Sequence, residues 1–202
     1  MITTLAHLKT RLKIEEFDLA DDATLTFLIQ HCGERFDREC NRKFERAATA
    51  YHEFPGDRDS FIPLRFPIES ISAWHLKSDE TDGWVEQDTP TYLIHAPGEE
   101  KCLVSLAYPL GSSFDVARIT YSGGYVMPGG TATGAQTALP PAIEDAALQQ
   151  VSVWWRDKDK LGLAGVSSQG GSVSAGALSI VRPLDLLPQV RNLLLKYERW
   201  VP

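Results

Sequence analysis

The strongest hydrophobic pattern in the chain lies between residues 139 and 162 and predicts an amphipathic helix. Apolar side chains recur there at three- and four-residue intervals, which places them on one stripe: Ile143, Ala147, Leu148, Val151, Trp154 and Trp155. Pro140 and Pro141 suit a first helical turn, where the N–H group that proline lacks has no partner. Gly162 can adopt the left-handed backbone that ends a helix. We expect every other element either to pack on this helix or to be attached to the part of the chain that does.

Two further helices are predicted within the first 44 residues. The first begins after a capping residue, Thr3 or Thr4, and its apolar positions are Leu5, Leu8 and Leu12. The second begins after Asp21 or Asp22 and runs to about Phe44. Its buried stripe consists of Leu25, Leu28, Ile29, Cys32, Phe36 and Cys40. The charged residues of the second helix lie mostly off that stripe: Arg35, Asp37, Arg38, Glu39, Arg42 and Lys43.

Residues 48–126 change to the alternating pattern that is typical of β-strands. Over residues 68–76, alternation places one set of side chains on one face: Ile68, Ser70, Ser72, Trp74 and Leu76. The other face carries Glu69, Ile71, Ala73 and His75. Residues 92–95 and 102–106 flank a turn and predict a hairpin. The last strand is expected over residues 116–121.

Two glycine-rich segments and a final helix complete the chain. Residues 122–138 are rich in glycine, threonine and alanine, which predicts an exposed loop of low order. Residues 162–182 are rich in glycine and serine, and we expect them to be mobile unless a partner orders them. A final helix is predicted from Pro188 to Trp200.

These patterns predict an α+β architecture, in which a small bundle of about four helices carries an inserted antiparallel β lobe. The bundle comprises residues 1–47 and 127–202, and the β lobe comprises residues 48–126. A chain of 202 residues is long enough for one substantial domain with such an insertion. No segment approaches the roughly 20 apolar residues of a membrane span, and no signal peptide is indicated at the N-terminus. We therefore expect no contact with a membrane.

Charge and cysteine content narrow the range of functions. A formal charge of −7 argues against a dedicated DNA-binding protein, because phosphate contacts need a basic face. The charge allows a protein that lies beside DNA without holding it. The three cysteines, Cys32, Cys40 and Cys102, show no paired spacing, so a reducing, cytoplasmic setting is the simpler interpretation. On a helix Cys32 and Cys40 are about 12 Å apart, too far to share one zinc ion.

The sequence contains no motif that predicts catalysis or a cofactor. The glycine-rich segments lack the lysine of a phosphate-binding loop, and no serine has the flanking glycines of a nucleophile elbow. Three histidines, His52, His75 and His95, lie in the predicted β lobe at spacings that indicate no shared site. We therefore expect no catalytic residues, no cofactor and no metal ion. The alternative is a small-molecule-binding or hydrolytic β domain that uses these histidines.

The tryptophans indicate protein–protein contact instead. Adjacent helical residues point about 100° apart, so one of Trp154 and Trp155 can reach a partner. Trp200 is not expected to be wholly buried in a monomer. The candidate interface residues are Trp154, Trp155, Arg191, Leu194, Tyr197 and Trp200.

Three segments, in this order, resemble the head–tail connector (adaptor) proteins of long-tailed bacteriophages, the gp6-like family. The first is the predicted helix pair over residues 8–44. The second is the strand and loop ITYSGGYVMPGG that leads to LPPAIEDAALQQVSVWW. The third is the glycine-rich stretch before the closing helix LPQVRNLLLKYERW. The resemblance covers nearly the whole chain.

The resemblance implies a structural role, since the family has no catalytic residues. Such proteins form a ring under the portal protein, with copies joined by heterologous contacts in roughly twelve-fold symmetry. The ring extends the channel through which viral DNA passes without sequence-specific binding, and it offers a surface to the next neck or tail protein. The implied location is the neck of the virion, and the host cytoplasm during assembly. An alternative is a tail-completion or tail-terminator component that contacts the tail.

Overall fold

The chain folds into helices and β-sheets in a computed structural model that describes residues 1–96, 100, 102–158 and 185–200. The helices are α1 (Leu5–Leu12), α2 (Asp22–Glu39), α3 (Pro141–Arg156) and α4 (Pro188–Leu194), which continues as a 3-10 turn over Leu195–Tyr197. The strands are β1 (Ala47–Pro55), β2 (Ser60–Phe61), β3 (Ile68–Lys77), β4 (Val85–Gln87), β5 (Tyr92–His95), β6 (Leu103–Leu106), β7 (Val116–Gly123), β8 (Tyr125–Val126) and β9 (Thr137–Ala138). The predicted α+β class is confirmed.

Helix α3 lies at the centre of a helical core and contacts α1, α2 and α4. Three residues of its predicted stripe, Ile143, Ala147 and Val151, are wholly buried. They pack with apolar side chains of the N-terminal segment and of the other helices: Ile2, Leu8, Leu25, Ile29, Phe36, Val190 and Leu194. Burial of each large apolar side chain contributes about 1.5–3 kcal/mol. The predicted role of this helix in the helical core is therefore confirmed.

Helix α2 ends at Glu39, not at Phe44 as predicted. Asn41 adopts a left-handed backbone with φ of 49°, through which a right-handed helix cannot continue. The N–H group of Phe44 donates instead to Oδ1 of Asp37, over 3.0 Å, so the chain folds back on α2. This turn redirects Arg42, which the sequence pattern places off the buried stripe but which is buried in the structure.

The end of α3 also differs from the prediction. The helix ends at Arg156, and the N–H group of Asp157 donates to the carbonyl of Val153, over 3.0 Å. The predicted end, Gly162, lies outside the described residues, as does the predicted glycine-rich loop of residues 162–182.

The final helix begins at Pro188, as predicted, but it does not reach Trp200. Its α-helical part ends at Leu194, and the 3-10 turn ends at Tyr197. Glu198 then adopts an extended backbone, which ends helical hydrogen bonding.

The β lobe consists of two antiparallel sheets, with strand orders β1-β7-β3-β4 and β2-β6-β5. Their facing sides enclose a second core: Phe54, Phe61, Trp74, Val104, Ile119 and Tyr121. The rings of Phe54 and Phe61 stack across the two sheets, with 4.0 Å between centroids. The predicted hairpin is confirmed by the pairing of β5 with β6. The lobe thus has a core of its own, separate from the helical core around α3.

The predicted faces of β3 are only partly correct. Ile68 and Trp74 are buried, but Ser70 and Ser72, predicted on the same face, are exposed. The pairing of β3 with β7 is irregular between Ile68 and Ser70, and again between Ile71 and Ala73. Such bulges shift the side-chain alternation by one residue, which explains the exchange of faces.

The segment that follows β7 is more ordered than its composition predicts. Strand β7 is not the last, because β8 and β9 follow it as a parallel pair. Tyr125 of β8 is buried in the helical core. Gly124 has φ of 100°, and a Cβ there would lie 2.9 Å from the backbone of Arg46, so only glycine permits this approach. The predicted exposed loop of residues 122–138 is therefore wrong for its first part.

One histidine of the β core gives the fold a pH dependence. His52 lies among the aromatic rings of the β lobe, with 5.6 Å between its ring centroid and that of Phe61. Burial, together with the positive charge of Arg199, lowers the pKa of His52 from 6.5 to about 4. The unfolded chain binds this proton at a higher pH than the folded chain does. The folded state therefore loses stability as the pH falls from 6.5 to about 4.

The variant His52→Gln removes this titration and is expected to flatten the pH dependence of stability. At 1.36 kcal/mol per pKa unit, protonation of the unfolded chain at His52 lowers the free energy of unfolding by roughly 3 kcal/mol between pH 7 and pH 4. Urea unfolding of both proteins at the two pH values measures the difference. His95→Gln, at an exposed histidine, serves as control. Equal pH dependence in wild type and His52→Gln would contradict the assignment.

Candidate interaction surface

The six predicted interface residues do not share one surface. Trp154 is 3% exposed and Leu194 is 1% exposed, and both pack in the helical core. Trp154 lies on the buried stripe of α3, three residues after Val151. A partner cannot reach these two side chains while the fold is intact. The candidate surface is therefore reduced to Trp155, Arg191, Tyr197 and Trp200.

Trp155 and Arg191 are already engaged within the chain. The ammonium nitrogen of Lys158 lies 3.3 Å from the ring centroid of Trp155, which is a cation–π contact. Arg191 donates from Nε to Oε1 of Glu39, over 2.9 Å, and from Nη2 to Oδ1 of Asp185, over 3.0 Å. Arg191 thus ties α4 to α2, and a partner would have to compete with these carboxylates.

Tyr197 and Trp200 lie on a groove of about 830 Å³ between the β lobe and the C-terminal segment, residues 195–200. Trp200 is 79% exposed. Arg199 ties the segment to both lobes. Its N–H group donates to the carbonyl of Cys40, over 2.8 Å, and its Nε donates to the carbonyl of Ile62, over 2.9 Å. The exposed indole ring of Trp200 is therefore attached to a backbone segment that hydrogen bonds to both lobes hold in place.

The residues that line the inner end of this groove surround one buried arginine, Arg42, which is 1% exposed. Its Nη1 lies 3.1 Å from Oε2 of Glu100 and 3.5 Å from the carbonyl of Tyr197. Its Nη2 donates to the carbonyl of Phe66. The guanidinium also lies 3.3 Å from the ring centroid of Phe66 and 5.2 Å from that of Tyr125. We call these five residues the arginine junction.

The arginine junction connects both lobes with the C-terminal segment. Tyr125, in the helical core, donates its hydroxyl hydrogen to Oε1 of Glu100, which belongs to the β lobe. Burial and this hydrogen bond raise the pKa of Tyr125, so its hydroxyl group stays protonated as a donor. A buried guanidinium is costly without such partners. The junction therefore holds in place four of the residues that line the groove: Phe66, Glu100, Tyr125 and Tyr197.

The histidines and cysteines do not form a reactive site among the described residues. His52 is half-buried beside the rings of Phe54 and Phe61. His75 lies on the outer face of β3, and His95 ends β5 in the other sheet. No three His, Cys, Asp or Glu side chains in the described part are placed to hold a metal ion. The three cysteines are buried, free thiols, and burial raises the pKa of Cys40 to about 12. None of the helices described is long and apolar enough to cross a membrane.

Removal of the buried arginine is expected to cost much stability. Arg42→Met keeps the apolar stem but leaves the carboxylate of Glu100 without its cation, so the free energy of unfolding should fall by about 3–5 kcal/mol. The double variant Arg42→Met/Glu100→Gln should recover part of the loss, because both charges are then gone. Urea unfolding measures both effects.

Arg38→Met is the matched control, since Arg38 lies on α2 with its side chain 75% exposed. Its change should stay within about 0.5 kcal/mol. A loss below about 1 kcal/mol for Arg42→Met would show that the junction does not support the fold.

Solved structures share this fold, although no family model and no curated protein matches the chain. One is a chain in the neck of an empty gene transfer agent particle, computed with C6 symmetry. It has 13% identity and a TM-score of 0.56, over 96% of this chain and 87% of that chain. Another belongs to the virion of a native gene transfer agent particle, with 14% identity, a TM-score of 0.57 and the same coverage. At these identities the likeness establishes a common fold, over almost the whole chain.

Proposed function

We propose that this chain is a structural subunit of the neck of a phage-like particle, a connector that docks as a ring on the portal protein. The observation that carries the proposal is the match over 96% of the chain to a chain in the neck of a gene transfer agent particle. A match of that length includes residues of both lobes. The resemblance of three sequence segments to phage connectors supports the same role, and membership of the gp6-like family stays a prediction.

The proposed ring contains roughly twelve copies, in keeping with closed rotational symmetry and heterologous contacts. It extends the DNA channel and offers a surface to the next neck or tail protein. A net charge of −7 suits a channel through which DNA slides, because tight phosphate binding needs lysine and arginine. The role involves no catalysis, no cofactor and no metal ion. The protein would assemble in the host cytoplasm and reside in the virion neck.

The groove and the C-terminal segment are the proposed contact with the portal. Exposed tryptophans are enriched among the residues that dominate binding energy, and Trp200 is such a residue at the edge of a groove. Arg199 holds its backbone to both lobes, so little conformational entropy is lost on binding. Tyr197 lines the same groove and completes the apolar surface.

Trp200→Ala is expected to weaken binding to purified portal rings by roughly tenfold or more, without unfolding the protein. A pull-down or light-scattering titration with portal rings measures the affinity. This substitution tests the segment more cleanly than deletion of the chain from Leu187 onward, which would also remove Val190 and Leu194 from the helical core.

The control for this titration is Tyr108→Ala, which removes an exposed aromatic side chain from the β lobe. It should bind portal rings as the wild type does. If the wild-type protein binds purified tails and not portal rings, the tail-completion role is correct and the connector role is wrong.

A further inference from the structure

The loop that joins β6 to β7, residues 107–115, lies at the end of the four-stranded sheet opposite the helical core. Val116, which follows the loop, pairs with Pro55 at the end of β1. The other end of β7 is Gly123, and Tyr125, two residues later, lies in the helical core. The length of β7 separates the two ends by roughly 23 Å. We call residues 107–115 the distal loop.

Two aromatic side chains of the distal loop are almost fully exposed. Phe114 is 82% exposed and Tyr108 is 81% exposed. Leu110, which lies between them in the sequence, packs against the β core instead. Aromatic side chains are enriched at the centre of protein–protein interfaces, because each buries a large apolar area. The loop is thus attached to the lobe by one apolar side chain and presents two rings to solvent.

Hydrogen bonds to Asp115 hold the distal loop in one shape. Its Oδ2 accepts from the N–H group and from the hydroxyl group of Ser112, over 2.6 and 2.8 Å. The hydroxyl group of Ser78, in the loop after β3, also bonds to this side chain. These bonds, above all that from the Ser112 N–H group, lower the pKa of Asp115, so the carboxylate stays ionised. The carbonyl of Asp115 accepts from the N–H group of Gly56, over 2.8 Å, so one residue ties three loops together.

Close packing of the loop backbones adds to these bonds. A Cβ at Gly56 would lie 2.9 Å from Cβ of Asp115 and from the carbonyl oxygen of Ser112. A Cβ at Gly111 would lie 2.7 Å from Oδ2 of Asp115 and 3.0 Å from Cδ1 of Leu76. The loops therefore meet without space for a further side chain. Because the backbone is already fixed, the two exposed rings lose little conformational entropy when a partner covers them.

Carboxylates surround the two rings. The distal loop and the two loops tied to it, residues 55–60 and 77–83, carry six of them: Asp57, Asp59, Asp79, Glu80, Asp82 and Asp115. The same stretches contain two cations, Arg58 and Lys77, and Nζ of Lys77 already lies 2.6 Å from Oε2 of Glu80. The surface is therefore acidic. It repels phosphate groups, which argues against DNA or an anionic membrane as its partner.

The clefts of this chain do not complement such a surface. The groove beside Trp200 is lined by Glu100 and Glu198 as well as by Lys196 and Arg199, so its charges balance. Two smaller clefts formed by described residues have no excess of cations either. Two distal loops brought together would repel each other through their carboxylates. The surface therefore favours a different protein over a second copy of this chain.

We propose that the distal loop is the docking surface for the next neck or tail protein, and that its two rings enter an apolar cleft bordered by lysine or arginine on that protein. The inference rests on the proposed function, since it gives the chemistry of the connector's second surface. The groove proposed to meet the portal lies at the other end of the β lobe, where Ile68 lines it and pairs with Gly123. The lobe thus has one contact surface at each end.

Tail joining tests this contact in the full-length protein. Purified portal rings saturated with each variant are mixed with purified tails and recombinant neck proteins of the same particle, and light scattering measures the joined complexes. Phe114→Ala should weaken joining by roughly tenfold or more and leave portal binding unchanged. Phe17→Ala is the matched control, because it removes an equally exposed ring from the helical lobe. Urea unfolding verifies that each variant is folded.

Charge reversal gives a second test, which measures the electrostatic part of the contact. Asp57→Lys/Asp82→Lys should weaken tail joining by roughly tenfold at low salt, because the reversed charges face the partner's cations. The difference from the wild type should shrink as the salt concentration rises. Glu15→Lys/Glu16→Lys reverses two exposed carboxylates of the helical lobe and should join tails as the wild type does.

The outcomes separate failure of this contact from failure of the proposed function. Normal tail joining by Phe114→Ala would overturn the distal-loop contact and leave the connector role standing. Loss of portal binding or of ring closure in the folded variant would also overturn it, because the portal or a second copy would then occupy the surface. Wild-type rings on the portal that join no tail would overturn it as well. If the wild type does not bind portal rings, the proposed function fails, and this inference with it.

Discussion

The arrangement of the two lobes depends on the burial of one guanidinium. Arg42 is surrounded by a carboxylate from the β lobe, by the carbonyl and ring of Phe66, and by the carbonyl of Tyr197 in the C-terminal segment. Each lobe has its own hydrophobic core, so apolar burial alone does not determine how the lobes meet. Hydrogen bonds to a buried charge are directional and costly to lose. Together with the ion pair of Arg46 with Glu69 and the bond from the N–H group of Lys43 to the carbonyl of Leu64, they favour one arrangement of the lobes and of the groove beside Trp200.

The elements that the sequence predicts correctly are those whose physical cause is local. The apolar stripe and starting prolines of α3 could be interpreted directly, because a helix buries residues three and four positions apart. The predicted elements are wrong where backbone geometry depends on single residues or on distant strands. The left-handed Asn41 shortens α2, and two bulges opposite β7 exchange the faces of β3. Alternation in one strand carries no information about the register of its neighbour.

The residues of the candidate site were harder to predict from the sequence, for the same reason. Trp200 could be proposed as a surface residue, but Trp154 and Leu194 are core residues. The partners of Arg42 lie 58 and 155 residues away along the chain, so no local pattern points to them. The burial of Lys9 is equally hard to predict, because this residue falls at an ordinary position of a short amphipathic helix. Charged residues in the first 44 positions predict exposure, and two of them are instead buried anchors.

Electron microscopy of the purified protein mixed with portal rings tests the central claim most directly. The connector role predicts a closed ring of this chain stacked coaxially on the portal, with the C-terminal segment and its groove facing the portal surface. The ring channel should continue the portal channel. Portal rings that carry no additional density at saturating protein, or density attached without rotational symmetry, would contradict the claim.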